Sequence, residues 1–255
     1  MNPRIRTSFF KAKRRYQVAR GSRVRRSSAG WDVMDPSGRV VEHFPAKRPI
    51  PAEGNPNWLS FSDLTGSPVP PISRFVSTWT APPAPADQTL TIYFFNGLEG
   101  PGGENILQPV LQWGSTAHGA IPGSWSIASW YVGGAGSPAF SSEAIPVDPG
   151  VNLTGVMELD GTTWNCYFDG FPGTSLLVDD IPDMAIAALT LEAYAGEAVP
   201  DDVTLDGAPV SFQVTALDVV AGGDLSQCQW SSYGEWPAVV NTSAPQSGKV
   251  TIAYR

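Results

Sequence analysis

The chain has 255 residues, of which 42% are hydrophobic, so it can bury a sizeable core and is not globally disordered. Its 26 glycines, 24 prolines and nine tryptophans favour many short strands joined by turns. The net charge is -8, and no apolar run approaches the ~18 residues of a membrane span. The basic N-terminus lacks the apolar stretch of a signal peptide, so none is predicted.

Positive charge is concentrated at the start of the chain. Ten of the 16 Lys and Arg residues lie within the first 26 residues, and none lies between Arg74 and Lys249. This distribution predicts a basic N-terminal arm, residues 1–54, followed by an acidic body, residues 55–255. A body almost free of Lys and Arg avoids the positive self-repulsion that drives acid unfolding, so tolerance of low pH is one interpretation and plain solubility is the other.

Alternating apolar and polar residues, bounded by Gly and Pro, predict a series of strands along the body. These segments are residues 73–82, 89–97, 105–114, 124–134, 151–161, 163–170, 186–196 and 210–220. Asp160-Gly161 predicts a hairpin turn between two of them. Strands at this spacing predict an all-β protein with two packed sheets, either a sandwich or a jelly roll.

Several kinds of catalytic centre are excluded by missing motifs. The chain has only two histidines, His43 and His118, and contains no H-E-x-x-H, no G-x-S-x-G and no Gly-Lys-Ser/Thr phosphate loop. A Ser-His-Asp triad would need His118, whose Gly/Ala-rich surroundings favour a surface turn. Cys166 and Cys228 permit one disulfide, or an unpaired buried pair, but no cysteine-rich metal site.

Carboxyl and amide groups are therefore the candidates for acid-base chemistry. Glu158 and Asp160 lack the second Glu of a sandwich-fold glycosidase motif, which favours a place beside a hairpin turn. Gln108 in NILQPVLQW and Glu192 in LTLEAYAG each stand inside an apolar strand segment. Each side chain either points to solvent from one face of its strand or is buried with a functional role, because an unpaired buried polar group is costly.

The body also resembles a known family, the glutamic peptidases or eqolisins, over residues 57–220. FVSTWTAPPAP resembles the family's strand ending in Trp-Thr-x-Pro, and Asn57-Trp58 resembles the Asn-Trp that opens its mature domain. FFNGLEGPGGENILQ is similar to its aromatic-x-Gly-Ile-Asp-Gly stretch leading to Ile-Leu-Gln. ASWYVG resembles its Trp-Tyr-Glu-Trp strand, without the Glu, and LTLEAYAG its Ala-Glu-Trp strand, with Ala193 in place of Trp.

This resemblance implies a concanavalin A-like two-sheet antiparallel β-sandwich and an acid endopeptidase. It places the catalytic pair at Gln108 and Glu192. In that mechanism Glu192 is the general base for a water molecule, and the Gln108 amide stabilises the oxyanion. The resemblance also implies that substrate contacts are made by residues of the cleft, which are Phe95, Glu99, Trp130 and Tyr131. It implies no metal and no cofactor.

The same resemblance implies a substrate class, a role for the N-terminal arm and a location for the protein. The substrate is a polypeptide, and residues 1–54 are a pro-segment that lies on the acidic body through ion pairs. Secretion is expected, whereas binding to nucleic acid or a membrane is not, and the oligomeric state stays open. Two alternatives remain: a non-catalytic sandwich that binds carbohydrate or protein, with Trp113, Trp125, Trp130 and Trp164 as stacking faces, and a structural protein whose arm binds an anionic partner.

Overall fold

The computed structural model describes residues 15–46, 58–103, 105–114, 123–134, 137–196 and 198–254. These residues form strands joined by turns, with one short 3₁₀ helix at Pro245–Ser247. In chain order the strands are β1 (Arg15–Gln17), β2 (Arg23–Ser27), β3 (Gly30–Met34), β4 (Val40–Pro45), β5 (Trp58–Thr65), β6 (Ile72–Thr80), β7 (Thr91–Glu99), β8 (Ile106–Trp113), β9 (Trp125–Val132), β10 (Ala139–Ser141), β11 (Ile145–Val147), β12 (Asn152–Asp160), β13 (Thr163–Phe168), β14 (Phe171–Asp179), β15 (Ile186–Tyr194), β16 (Val210–Val219), β17 (Gln229–Tyr233), β18 (Val239–Thr242) and β19 (Lys249–Ile252). Within these ranges no helix is long and apolar enough to cross a membrane.

The strands form two sheets. Sheet A has the spatial order β1-β10-β9-β8-β7-β15-β5-β17, and β11 also pairs with β9. Sheet B has the order β18-β19-β16-β6-β12-β13-β14-β2-β3-β4. Neighbouring strands run antiparallel except for the pairs β1–β10 and β14–β2, which are parallel. The predicted all-β two-sheet sandwich is confirmed.

The main hydrophobic core lies between the two sheets. Sheet A contributes Phe94, Leu111 and Trp125, and sheet B contributes Phe75 and Trp164, all buried in one cluster. Alternate residues of each strand point to this core, as the period of two along a β-strand requires. Trp113 belongs to the same cluster. Three of the four tryptophans considered as stacking faces for sugar are therefore core residues.

The described part of the predicted basic arm takes part in both sheets. β1 adds to the edge of sheet A, while β2, β3 and β4 extend sheet B beyond β14. Val24 and Trp31 of these strands are buried, and the Trp31 ring lies 5.2 Å from the ring of Tyr131 in sheet A. Residues 15–46 are thus built into the sandwich, and the predicted boundary at residue 54 lies outside the described residues.

The eight strands predicted from alternation are all present, as β6, β7, β8, β9, β12, β13, β15 and β16. The predicted hairpin joins β12 to β13, with Asp160 paired to Thr163. Gly161 and Thr162 connect them, and Gly161 has a φ of 60°, a left-handed conformation that favours glycine. The turn therefore starts one residue later than the sequence predicts.

Candidate active site

The outer face of sheet A, which faces away from sheet B, carries its own cluster of buried side chains. Alternate residues of five central strands point to it. They are Ser126, Ala128, Trp130 and Val132 on β9; Ile106, Gln108, Val110 and Gln112 on β8; Tyr93, Phe95, Gly97 and Glu99 on β7; Ile186, Ala188, Thr190, Glu192 and Tyr194 on β15; and Trp58, Phe61 and Asp63 on β5.

Both predicted catalytic residues lie on this face, and both are buried. Gln108 and Glu192 each expose 1% of their surface. The alternative that they form the solvated face of a strand is therefore wrong for both. Asp63 and Glu99 are equally buried carboxyl groups on the same face. Burying this many acidic groups on one sheet face is typical of a functional site, since transfer of a charge out of water is costly.

The register of the strands keeps Gln108 and Glu192 apart. β7 lies between their strands, and Glu192 pairs with Tyr93, which in turn pairs with Gln112. Gln108 is therefore displaced by four residues along the strand direction from the position opposite Glu192. Strands ~4.8 Å apart with residues ~3.3 Å apart along each strand separate the two Cα atoms by roughly 16 Å. Side chains that stand perpendicular to the sheet do not close that distance to share one water.

Gln112 is the amide that lies level with Glu192. Its Nε2 donates a hydrogen bond to the Ser126 hydroxyl at 3.3 Å, on the side of the strand away from β7. Its amide oxygen is buried without a hydrogen bond from a described residue. Tyr93 stands between the two side chains in the same row. Gln112 is therefore turned away from Glu192.

Two tyrosines surround the Glu192 carboxylate. Tyr194, two residues further along β15, donates a short hydrogen bond from its hydroxyl to Oε1 of Glu192. The Tyr93 and Tyr194 rings meet edge to face, with centroids 6.1 Å apart. The Glu192 side chain is thus buried and accepts a hydrogen bond from a phenol.

The predicted substrate-contact residues divide between the two faces of sheet A. Phe95, Glu99 and Trp130 share the outer face with Gln108 and are almost fully buried. Tyr131 belongs to the core between the sheets, and its hydroxyl accepts a hydrogen bond from Asn105 Nδ2 at 3.4 Å. Since neighbouring residues of a strand point to opposite faces, Trp130 and Tyr131 cannot both line one cleft.

The remaining candidates from the sequence take structural positions. Glu158 and Asp160 flank the β12–β13 hairpin, as the simpler interpretation predicted. His118 lies outside the described residues, and His43 contacts Asp32 at 2.7 Å. No group of three metal-binding side chains is present in the described ranges.

Both cysteines are free and buried. Burial raises the pKa of the Cys166 thiol to about 12, so the thiolate is not populated at neutral pH. The sequence left open whether Cys166 pairs with Cys228, and the structure answers that it does not.

Two residues of the outer face with carboxyl or amide side chains were not predicted from the sequence, Asp63 and Gln112. Asp63 lies on β5, which the strand prediction missed because its alternation of Ser60, Ser62 and apolar residues lacks a solvated face. Gln112 follows Gln108 by four residues in the same predicted strand. A period of two places residues four apart on one face, so this signal was available in the sequence.

Comparison with solved structures finds the same architecture. Scytalido-glutamic peptidase, crystallised with a peptide-based transition-state analogue, has a TM-score of 0.50 at 13% sequence identity, covering 77% of this chain and 98% of that chain. The chain has the glutamic-peptidase fold. SCP-B, a member of the eqolisin family of peptidases solved with the tripeptide Ala-Ile-His, gives a TM-score of 0.49 at 13% identity with the same coverage. No family model and no curated protein matches the sequence.

Within the glutamic-peptidase fold of this chain, the five central strands of sheet A form a platform without a single Lys or Arg in their sequences. Gln108 has neighbours on β7 and β9, whereas Glu192 has neighbours on β7 and β5. The two groups are therefore embedded in different parts of one face.

Proposed function

We propose that the chain is an acid endopeptidase that hydrolyses peptide bonds on the outer face of sheet A, using a carboxyl group and the amide of Gln108. The observation that supports this most is the burial of Gln108, Glu99 and Glu192 on one face of a sandwich with the glutamic-peptidase fold. A face whose only task was packing would carry apolar residues at these positions, because buried charges are costly.

The mechanism follows from the chemistry of the two side-chain types. An ionised carboxylate removes a proton from water as the water oxygen attacks the peptide carbonyl carbon. The amide N–H of Gln108 donates a hydrogen bond to the carbonyl oxygen as it becomes an oxyanion. The carboxyl group then transfers its proton to the amide nitrogen of the leaving product. The resemblance assigns the carboxyl role to Glu192.

The first 54 residues act in this proposal as a pro-segment of a secreted zymogen. One contact supports it: Arg23 on β2 lies 3.4 Å from Asp179 on β14, an ion pair between the basic arm and the acidic body. The buried face also requires part of the chain to move before a polypeptide substrate reaches Gln108.

The test is cleavage of an unfolded protein substrate between about pH 2 and 6 by the full chain after incubation in acid. Wild type is compared with Glu192→Gln and Gln108→Ala, with pepstatin and a chelator as inhibitor controls. Activity confined to acid, resistant to both inhibitors, and lowered on the order of 10²–10³-fold in Gln108→Ala supports the proposal. A folded wild-type chain without activity refutes it.

The pro-segment is tested separately by binding. A peptide of residues 1–54 is titrated near neutral pH, at low and high salt, into a chain of residues 55–255 that circular dichroism first shows to be folded, because β1 to β4 belong to both sheets. Salt-sensitive affinity is expected from ion pairing between a basic arm and an acidic body. Absence of such affinity contradicts the pro-segment role without touching the chemistry of the cleft.

A second candidate is a non-catalytic sandwich that binds carbohydrate or protein. One observation favours it, the four-residue offset that separates Gln108 from Glu192. This candidate would be established if the wild-type chain bound to glycans on an array and had no peptidase activity. Of the four tryptophans considered as stacking faces, Trp130 is the one on the outer face, where it is buried, so a ligand would reach it only if part of that face opens.

A further inference from the structure

The outer face of sheet B, which points away from sheet A, carries a row of side chains that runs straight across six strands. In spatial order the row is Asp218, Arg74, Glu158, Asn165, Leu177 and Arg23, each the register partner of the next. Residues directly opposite on paired strands share a face. Phe75, Trp164 and Leu176 adjoin members of the row in sequence and belong to the core between the sheets. The row therefore points outward.

All six residues of the row line one groove of about 550 Å³. Sites for small ligands typically have volumes of ~300–1,000 Å³. The groove is also lined by Ser73, Asp160 and Thr163, and its apolar residues are Leu159 and Leu177. Most of its lining is therefore polar, so an apolar ligand does not match it.

The groove holds both signs of charge in close pairs. Nη1 of Arg74 lies 3.7 Å from Oδ2 of Asp218, and Nη1 of Arg23 lies 3.4 Å from Oδ2 of Asp179. The Arg74 and Asp218 side chains are 46% and 51% exposed, so a ligand can reach both. The lining contains two guanidinium groups and three carboxyl groups. A polyanion such as nucleic acid therefore meets no excess of positive charge.

An amide and a phenol stand beside these charged groups. Ser175 donates a hydrogen bond to Oδ1 of Asn165 at 2.8 Å, and Nδ2 of Asn165 has no acceptor among the described residues. Tyr167 follows Asn165 by two residues on β13 and is diagonal to Glu158 on the same face. Burial and the neighbouring Glu158 carboxylate raise the pKa of Tyr167, so its hydroxyl stays protonated and can donate.

A saccharide matches this combination of groups. A hydroxyl group both accepts and donates, so it can accept from Arg74 and donate to Glu158 while the ion pair with Asp218 stays intact. An anionic ligand, in contrast, competes with the carboxylate that already pairs with each Arg. Strands ~4.8 Å apart present the polar groups of the row at regular intervals to a chain of hydroxyl-bearing units. The Tyr167 ring and the Leu177 side chain supply apolar surface for the C–H groups of a sugar ring.

We propose that the groove on the outer face of sheet B binds a neutral oligosaccharide, with Arg74, Glu158 and Asn165 as its hydrogen-bonding residues. This site is independent of the proposed peptidase function, because Gln108 lies on the other sheet. It also differs from a carbohydrate site at Trp130, which belongs to sheet A. Arg23 comes from the basic arm, so the site spans the arm and the body.

The experiment begins with the full chain on an array of neutral, uronic acid-containing and sulfated oligosaccharides. A neutral oligosaccharide that binds is then titrated by calorimetry at low and high salt, and its affinity is expected to change little with salt. Arg74→Met and Glu158→Gln are each expected to raise the Kd on the order of 10-fold, because each removes a charge-assisted hydrogen bond. Asn165→Ala is expected to raise it about 3-fold or more.

Arg39→Met is the matched control, because Arg39 also pairs with a carboxylate, that of Asp35 at 3.2 Å, but lies outside the groove. It is expected to leave the Kd unchanged. Hydrogen exchange locates the ligand independently: binding is expected to protect amides of β12 and β13 and not those of β8 or β15. Melting temperatures identify any variant that fails to fold, and Asn165→Ala then carries the test.

The outcomes are distinct from those of the peptidase assay. The proposal is overturned if no oligosaccharide on the array binds, or if binding is confined to sulfated glycans and disappears at high salt. Protection of β8 or β15 in place of β12 also overturns it, as do equal losses in Arg74→Met and Arg39→Met. A chain that binds in the groove and cleaves no polypeptide overturns the proposed function and leaves the saccharide site in place.

Discussion

Tyr194 donates a hydrogen bond from its hydroxyl to the carboxylate of Glu192, two residues earlier on the same strand and the same face. A period of two along β15 brings the two side chains together without any long-range contact. Both side chains are buried, so the hydroxyl satisfies a carboxyl oxygen that has little water around it. Removal of the Tyr194 hydroxyl oxygen is therefore expected to lower the stability of the folded chain.

Tyr194→Phe is expected to destabilise the chain by about 1–3 kcal/mol, because it removes this donor from a buried carboxyl oxygen. The measurement is urea unfolding at neutral pH. Tyr254→Phe is the control, since the Tyr254 hydroxyl also donates a hydrogen bond, to the Gly207 carbonyl at 3.2 Å, but at an exposed site. Equal effects of the two substitutions would show that burial of the Glu192 pair contributes nothing.

Gly155 on β12 lies where the two sheets approach each other. A Cβ atom there would lie 2.5 Å from Asn96 Oδ1 and 2.7 Å from Pro109 Cγ. Gly155→Ala is therefore expected to cost about 1–3 kcal/mol in overpacking, measured by thermal or urea unfolding. Gly173→Ala is the control, because the atom closest to its Cβ would be the flexible end of Ile145 at 3.0 Å. A neutral Gly155→Ala would contradict the close approach of the sheets.

Asp32 on β3 ties the N-terminal strands together in a pH-dependent way. Its hydrogen bond with His43, assisted by Arg25, lowers the pKa of the Asp32 carboxyl below its usual range. A carboxyl with a lowered pKa stabilises the fold above its unfolded pKa, and that stability is lost as the pH falls through the folded pKa. The hairpins β2–β3–β4 are therefore expected to open more readily below about pH 4.

Hydrogen exchange of β3 amides between about pH 2.5 and 6 measures this effect. Asp32→Asn is expected to weaken β3 at pH 6 and to remove part of the extra opening in acid. Asp87→Asn is the control, since hydrogen bonds from Thr89 also lower the pKa of Asp87, which lies outside these hairpins. Profiles for Asp32→Asn that run parallel to wild type would refute the prediction.

The Cys166 thiol, with its pKa raised to about 12 by burial, is expected not to react with a thiol reagent at pH 8 in the folded chain. Labelling after unfolding should modify both Cys166 and Cys228, which gives a mass increase of two labels without reduction. A chain that takes up no label until a reductant is added would contain a disulfide, contrary to the structure. Fast labelling of Cys166 in the folded chain would contradict its burial.

Local pattern was enough to find most of the strands of the body, and fold class followed from them. In β6, β12 and β16, alternation of apolar and polar residues is visible in the sequence because one face is buried and the other is partly exposed. The glycine of the β12–β13 turn was also readable, since a left-handed residue is a local requirement.

Residues 15–46 show where local pattern misleads. Their many Arg residues predict a separate arm, yet Val24, Trp31 and Val33 between them are buried in the sandwich. Long basic side chains keep their charged ends at the surface while the strand buries its alternate apolar residues. Net charge therefore gave no information about whether this segment pairs with β10 and β14.

The sequence by itself determined that Gln108 and Glu192 are polar groups inside apolar strands. Their burial and their separation were decided only by the tertiary structure, because pairing of strands is a non-local choice. Insertion of β7 between β8 and β15, with its particular register, placed Gln108 beside Gly97 and Glu99 and placed Glu192 beside Tyr93. A shift of either strand by two residues would preserve every local pattern and change every neighbour of the site.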